Sequence, residues 1–276
     1  MFNPLSDESR LLRVSSVAVF ASVGFAVAVH RPASAASLIP VNVELSLLVD
    51  VSASISPAEY ALQMGGYQSA FTTLAPLFDT GEFGSVAVNL IQWSGATQQS
   101  QSIPWTLIND QTSALQFADL IGTLPRAFSG ITAPGSAIQF ATPLFSSNDY
   151  QGQRWIIDVS GDDQANSGIS TSLARDNALA AGVSAINGLP INSAPRRDGT
   201  PSALDVWYAN NIQGGDGSFI MPAYGFEDVG RALEQKLRLE LTPPPPPTTD
   251  VPEPATILGI ALVGGGLACI KRRRIV

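Results

Sequence analysis

Short apolar segments alternate with segments of helical periodicity between residues 41 and 242. The apolar segments that predict strands are residues 43–49, 85–93, 102–108, 154–159, 183–189 and 218–221. Helices are predicted from Pro57 onward and over residues 112–124, 136–145, 172–181 and 226–239. This alternation is typical of βαβ units. It predicts an α/β fold with a doubly wound, mostly parallel sheet that carries helices on both faces.

Residues 1–36 have the organisation of a secretory signal peptide. Basic residues precede an apolar stretch over 14–29, and small residues follow over 33–36. The apolar stretch is short for a bilayer span, and the small residues suit signal peptidase, which predicts cleavage near Ala36. A retained signal anchor is the alternative.

The C-terminal end divides into a spacer and a second terminal segment. Residues 243–250 form a proline-rich linker, and its five consecutive prolines predict an extended polyproline II rod of about 3.1 Å per residue. Residues 251–276 contain Val-Pro-Glu-Pro, an apolar stretch over 255–270 and a basic cluster over 271–274. The apolar stretch predicts a short transmembrane helix that suits transient insertion, with its basic end in the cytoplasm.

The order of motif, short helix and basic cluster resembles the PEP-CTERM sorting signal. The resemblance implies processing by an exosortase in a Gram-negative bacterium that makes exopolysaccharide. An inner-membrane intermediate would then precede the cell surface or the extracellular matrix. An ordinary C-terminal membrane anchor is the alternative.

Residues 37–242 are expected to form one domain with a strongly acidic surface. The two end segments contain 7 of the 15 basic and 3 of the 23 acidic residues, so residues 37–250 carry a net charge of about −12. This charge disfavours nucleic acid and anionic lipid as partners, because both need basic surfaces. It favours cations and partners that a cation can bridge. The single His and the single Cys, His30 and Cys269, lie in the end segments.

Three polar loops are expected at the carboxyl ends of the parallel strands, where ligands bind in such folds. The first is the Asp-x-Ser-x-Ser sequence of residues 50–54, the second covers residues 132–135, and the third covers residues 160–163. They offer carboxylates and hydroxyls only. Such ligands suit Mg²⁺, Mn²⁺ or Ca²⁺ better than zinc or copper, which prefer imidazole and thiolate.

The three loops resemble the von Willebrand factor A-type domain and its metal-ion-dependent adhesion site (MIDAS). The resemblance extends over most of residues 41–242. It implies that the serine hydroxyls and Thr132 bind the metal and that Asp50 reaches it through water. The metal ligands that it implies are Asp50, Ser52, Ser54, Thr132 and Asp162.

The third loop departs from the family pattern, which usually has Thr-Asp-Gly after the strand. Here the sequence is Ser160-Gly161-Asp162-Asp163, so Asp158 and Asp163 remain alternatives to Asp162. Further segments, such as Gln92-Trp93-Ser94-Gly95, resemble a subgroup of exported bacterial A-type domains whose function is uncharacterised. Membership of that subgroup implies a fold and a site but no ligand.

The polar segments also have structural interpretations. The first loop could be an Asx turn, with Ser56 capping the helix that starts at Pro57. Capping requires one loop, whereas three loops carry oxygen ligands, which favours the metal site. Residues 214–217 are expected to be a flexible turn, and the four tryptophans are expected to pack in or between the layers.

The sequence therefore predicts an exported domain that binds a partner through Mg²⁺, with Mn²⁺ or Ca²⁺ as alternatives. The partner would present an acidic group, in a surface protein or in the exopolysaccharide matrix. Enzymatic activity is not expected, since the domain lacks His and Cys and Ser52 replaces the second acid of an Asp-x-Asp phosphatase. The alternatives are a structural matrix or surface component with a vestigial metal site, and a metal-dependent hydrolase.

Overall fold

The computed structural model describes residues 37–192, 194–197 and 199–243. The strands are β1 (Ile39–Asp50), β2 (Val86–Trp93), β3 (Gln99–Ile108), β4 (Tyr150–Gly161), β5 (Ala185–Pro190) and β6 (Gly214–Gly215). The helices are α1 (Pro57–Asp79), α2 (Gln111–Gly122), α3 (Pro134–Ala141), α4 (Thr171–Ala180), α5 (Ala203–Asn211) and α6 (Val229–Leu241). The predicted signal peptide and the sorting segment lie outside the described residues, as does most of the linker.

The strands form one sheet in the order β3-β2-β1-β4-β5-β6. Strands β2, β1, β4 and β5 run parallel, and β3 and β6 add antiparallel pairings at the two edges. Every residue of β2 is buried, as expected of a strand that is covered on both faces. The predicted doubly wound, mostly parallel α/β fold is confirmed.

Each face of the sheet has its own hydrophobic core. One core contains Leu47 of β1 and residues of α1, α2 and α6, and the other contains Leu48 and residues of α3, α4 and α5. Adjacent residues of β1 thus enter opposite cores, because side chains alternate along a strand. This two-sided packing holds β1 rigidly and fixes the position of its carboxyl end.

Helix α1 begins with a complete capping box. The Ser56 side chain accepts a hydrogen bond from the main-chain NH of Glu59, the Glu59 carboxylate accepts one from the NH of Ser56, and Pro57 occupies the first turn. The predicted cap and helix start are confirmed. The cap fixes the chain immediately after the Asp-x-Ser-x-Ser loop.

The predicted strand over 218–221 is wrong, because this segment contributes only an isolated bridge between Ile220 and Gly188. The residues that pair with β5 are Gly214 and Gly215, in the segment that was expected to be a turn. Gly215 has a φ of +89°, and a Cβ there would lie 2.3 Å from the carbonyl oxygen of Ser184. The close pairing therefore requires glycine, a residue that β propensity disfavours.

Helix α5 was not predicted from the sequence. Leu204, Trp207 and Tyr208 do follow helical spacing and pack in one core with Ile212, but the helix has only 9 residues, so the pattern is short. A capping box formed by Ser202 and Asp205 starts the helix. In the described part of the chain, no helix has both the length and the apolar character that a bilayer span requires. The predicted membrane helix over 255–270 falls outside that part.

Candidate metal site

The three predicted loops meet at the carboxyl ends of β1 and β4. Asp50 is the last residue of β1, Asp162 follows the last residue of β4, and Thr132 lies just before α3. The two strands are neighbours, with Val49 paired to Ser160. The parallel register therefore brings the first and third loops to the same edge of the sheet.

A chain of hydrogen bonds connects the first loop with the third. The Oγ atoms of Ser52 and Ser54 lie 3.0 Å apart, and the Ser54 hydroxyl donates to Asp162 Oδ1 at 2.8 Å. Asp50 Oδ1 accepts a hydrogen bond of 2.7 Å from the main-chain NH of Ser52. Four of the five predicted ligands are thus in one hydrogen-bonded cluster.

Thr132, the fifth predicted ligand, is 3% exposed and is positioned through its backbone. Its NH donates to Asn166 Oδ1 at 2.9 Å, and its carbonyl oxygen accepts from the NH of Asn166 at 3.0 Å. The Ala53 NH donates to the carbonyl oxygen of Gly130 at 2.7 Å. The segment that carries the second loop is therefore hydrogen-bonded to the first loop and to Asn166, which lies just after the third loop.

The structure separates the three aspartates that the sequence left as alternatives. Asp158 is fully buried, and its Oδ1 lies 2.7 Å from Lys236 Nζ in α6. Asp163 is exposed, and its carboxylate accepts a hydrogen bond from the NH of Gln164. Asp162 is the one of the three whose carboxylate contacts the Asp-x-Ser-x-Ser loop.

The site has acidic groups that no basic side chain of the described residues pairs with directly, although the charge of Arg126 slightly lowers the pKa of Asp50. Asp50 is fully buried, and its Oδ2 has no hydrogen-bond partner among the described residues. Burial raises the pKa of Asp50 to about 7, although hydrogen bonds from Ser52 lower it in part. Burial also raises the pKa of Asp162. The guanidinium of Arg126 donates to the carbonyl oxygens of Val51 and Ser52 and to neither carboxylate.

The oxygen atoms fit a small divalent cation in chemistry and in spacing. In an octahedron with metal–oxygen distances of about 2.1 Å, neighbouring ligand oxygens lie about 3 Å apart. The Ser52–Ser54 and Ser54–Asp162 separations of 3.0 Å and 2.8 Å match this spacing. Within the described residues, no three His, Cys, Asp or Glu side chains cluster as a metal site. Hydroxyls would therefore have to complete the ligand set.

Two residues beside the site were missed by sequence reasoning, Gly161 and Tyr208. The Tyr208 hydroxyl is buried and has no hydrogen-bond partner in the described chain. A Cβ on Gly161 would lie 2.7 Å from Asp50 Oδ2 and 2.8 Å from the Tyr208 hydroxyl oxygen. Both unpartnered oxygens thus border the space over Gly161. Sequence reasoning had no signal for Tyr208, because α5 itself was not predicted.

Comparison with known proteins identifies two segments of the chain. Residues 40–245 match a family described as a protein of unknown function (DUF1194), and residues 250–275 match the PEP-CTERM protein-sorting motif. A sorting motif of this kind implies export to the cell surface or beyond. No match was found among curated proteins.

Solved structures with the same fold include two proteins from unrelated settings. Proximal thread matrix protein 1 from the mussel byssus, described with a zinc-occupied MIDAS motif, has 16% identity and a TM-score of 0.54, over 75% of this chain and 49% of that one. The pilus adhesin SpaC from Lactobacillus rhamnosus GG has 12% identity and a TM-score of 0.52, over 73% and 30%. This chain thus spans about half of the thread matrix protein.

At these identities the structural likeness shows the fold alone, which is that of a von Willebrand factor A-type domain. The family match covers residues 40–245 and therefore includes all three loops of the candidate site. The chain belongs to the DUF1194 family, which is von Willebrand factor A-like, and it carries a C-terminal PEP-CTERM sorting signal.

Proposed function

We propose that this protein is an exported, non-enzymatic adhesion or ligand-binding domain that uses a divalent cation, Mg²⁺ in the first instance, to bind an acidic partner. The observation that carries the proposal is the oxygen cluster itself, in which the buried Asp50 carboxylate, Asp162 and two serine hydroxyls lie together, and neither aspartate forms an ion pair within the described residues. A buried carboxylate is costly unless a cation or hydrogen bonds compensate it. A cation from solution would supply that compensation.

Each predicted ligand has a role that its position supports. Ser52, Ser54 and Thr132 would offer hydroxyl oxygens to the metal, and Asp162 would offer a carboxylate oxygen from the third loop. Asp50 would contribute negative charge from its buried position behind the loop. The cation would supply an open coordination position for an acidic group of the partner.

The charge of the protein explains why a cation would be needed for adhesion. Residues 37–250 have a net charge of about −12, so an acidic protein or polysaccharide would be repelled by the domain. A divalent cation bridges two anionic surfaces and offsets this repulsion locally. Binding to an acidic matrix polymer or surface protein should therefore require the metal.

The sorting signal and the names of the similar structures support the setting of this function. Exosortase processing after an inner-membrane intermediate, in a Gram-negative bacterium, would deliver the domain to the surface or the matrix. The similar structures include a thread matrix protein and a pilus adhesin. A structural matrix component with a vestigial metal site is the rival function.

Calorimetric titration of Mg²⁺, Mn²⁺ and Ca²⁺ into the wild type and the Asp50→Ala, Thr132→Ala and Asp163→Ala variants tests the proposal. Binding should be weakened strongly by the first two changes and should survive the third, because the Asp163 carboxylate is exposed and bonded within its own loop. Retention of an acidic polysaccharide on the wild type should then require the bound cation. A wild type that binds none of the three cations would contradict the proposal and favour the structural role.

A further inference from the structure

The Tyr208 hydroxyl lies in a hydrophobic core, where a hydroxyl without a hydrogen-bond partner is unfavourable. The side chain is fully buried in the core formed with α3, α4 and α5, and the hydroxyl makes no hydrogen bond with any described residue. A buried hydroxyl without a partner lowers stability, and phenylalanine would fill the same space without that cost. The hydroxyl therefore requires an explanation.

A second unpartnered oxygen lies close to this hydroxyl. Asp50 Oδ2 is also buried without a partner, and both oxygens border the space over Gly161. They lie 2.7 Å and 2.8 Å from the position that a Cβ of Gly161 would occupy. The two oxygens therefore lie at most about 5.5 Å apart, a separation that one water molecule with two hydrogen bonds of about 2.8 Å can span.

We propose that a water molecule over Gly161 connects the Tyr208 hydroxyl with Asp50 Oδ2, and that Tyr208 is a positioning residue of the metal site. Tyr208 donates to the water, and the water donates to the carboxylate, which can only accept when ionised. Asp50 Oδ1 already accepts from the Ser52 NH, so the water fixes the second oxygen and with it the plane of the carboxylate. The link to the metal rests on the proposed function.

Gly161 is the residue whose missing side chain would otherwise reach both oxygens. Its φ is not in the left-handed region, so alanine is compatible with the backbone at this position. The added Cβ would, however, contact Asp50 Oδ2 and the Tyr208 hydroxyl and exclude the water. Gly161→Ala therefore disturbs the same connection, but it also displaces Asp50, so Tyr208→Phe is the variant that isolates the hydroxyl.

Tyr67 provides a matched control because it is also a fully buried tyrosine. Its hydroxyl donates to Ser160 Oγ at 3.1 Å, on the face of the sheet that α1 covers. Tyr67→Phe thus removes a buried hydroxyl and its hydrogen bond to Ser160, the first residue of the third loop, but leaves Asp50, Gly161 and Tyr208 unchanged, which makes it a stringent control. A change seen in Tyr208→Phe and absent from Tyr67→Phe cannot come from the loss of a buried hydroxyl in general.

The experiment compares the full chain in detergent, as wild type and as the Tyr208→Phe, Gly161→Ala and Tyr67→Phe variants. Mg²⁺ affinity is measured by calorimetry, and the urea midpoint is measured in EDTA. Tyr208→Phe and Gly161→Ala should weaken Mg²⁺ binding on the order of tenfold, as loss of an outer-shell partner does, and Tyr67→Phe should not. In EDTA, Tyr208→Phe should lower the urea midpoint.

Two results would overturn the inference. An unchanged or raised urea midpoint for Tyr208→Phe in EDTA would mean that the hydroxyl has no partner to lose. A high-resolution crystal structure of the metal-free wild type without a water between Asp50 Oδ2 and the Tyr208 hydroxyl would do the same. Both measurements are made without metal. A wild type that binds no Mg²⁺ would therefore contradict the proposed function, while these two measurements would still show whether the bridging water exists.

Discussion

Two pairs of acidic residues lie in the interior of this domain, and the chain treats their charges in opposite ways. Asp158 and Glu240 share the buried ammonium of Lys236, which lies 2.7 Å from Asp158 Oδ1 and contacts Glu240 Oε1. Asp50 and Asp162 have no such cation, because the nearby Arg126 donates to carbonyl oxygens. The first pair thus shares one cation supplied by the protein itself, whereas under the proposed function the second pair would receive its cation from solution.

The Lys236 cluster, formed by Asp158, Lys236 and Glu240, connects α6 with the sheet. Asn187 of β5 donates to Glu240 Oε1 at 2.8 Å, so the cluster joins α6 to both β4 and β5. One ammonium faces two carboxylates, and burial together with the Asp158 charge raises the pKa of Glu240 to about 7. Each pair therefore contains a carboxyl group whose pKa is raised by burial. The two pairs differ in the buried ammonium of Lys236, which contacts Asp158 and Glu240.

The largest effect is expected from removing the internal cation. Lys236→Met should destabilise the fold by about 3–5 kcal/mol, since it leaves two buried acids without a counter-charge. Urea denaturation measures the change. The matched control is Arg231→Met, which breaks a half-exposed ion pair with Asp228 and should cost about 1 kcal/mol or less. Equal losses in the two variants would show that the buried cluster has no special role.

The second effect comes from supplying the missing cation at the other pair. Mg²⁺ at about 100 times its Kd should stabilise the wild type by about 2.7 kcal/mol, because only the folded state binds it. Asp50→Asn should abolish this gain, whereas Glu240→Gln should keep it. The same stabilisation in Asp50→Asn as in the wild type would mean that the cation binds elsewhere.

The third effect is a pH dependence that the two pairs share without metal. The folded pKa of Asp50, about 7, lies above its ordinary value of 3.8, so the folded state binds more protons between these values. Stability should therefore fall as pH rises from about 4 to about 7, by at most about 1.4 kcal/mol per pH unit for this group. Glu240 should contribute with the same sign, from its ordinary value of 4.5 to about 7.

Variants and Mg²⁺ separate the two contributions to this slope. Asp50→Asn and saturating Mg²⁺ should each remove the Asp50 part, and Glu240→Gln should remove the other part. Denaturation midpoints from pH 4 to pH 8, measured in EDTA and in Mg²⁺, provide the test. A slope that neither Asp50→Asn nor Glu240→Gln changes would contradict the direction assigned to both pKa shifts.

The sequence predicted what depends on local pattern. The strands, most helices and the three site loops follow from apolar runs, a proline and a capping serine, and parallel strands bring their ends together. It failed where long-range contact decides the structure. Gly214 and Gly215 pair as β6 although glycine disfavours strands, and the 9 residues of α5 are too few for the spacing of Leu204, Trp207 and Tyr208 to indicate a helix without their core contacts.

The two acid pairs show the same limit. Helical periodicity predicted that Val229, Leu233 and Leu237 face inward, and all three are buried. It did not predict that Lys236 and Glu240 enter the same core, because their burial depends on Asp158 in a distant strand. For the same reason the sequence, which left Asp158 as an alternative metal ligand, gave no sign of its ammonium partner.

The smallest predicted effect concerns the Ser56 cap of α1, which adjoins the candidate metal site. Ser56→Ala removes the cap of α1 and should cost about 1 kcal/mol in urea denaturation, with no change in Mg²⁺ affinity. Ser54→Ala, two residues earlier, should weaken Mg²⁺ binding and change stability less, because the Ser54 side chain is exposed and contacts Asp162 and Ser52. If Ser56→Ala weakened Mg²⁺ binding as much as Ser54→Ala, the cap and the metal site would be one unit. The Asp-x-Ser-x-Ser loop could then be explained as part of the helix start, and the contrast with the Lys236 cluster would lose its functional meaning.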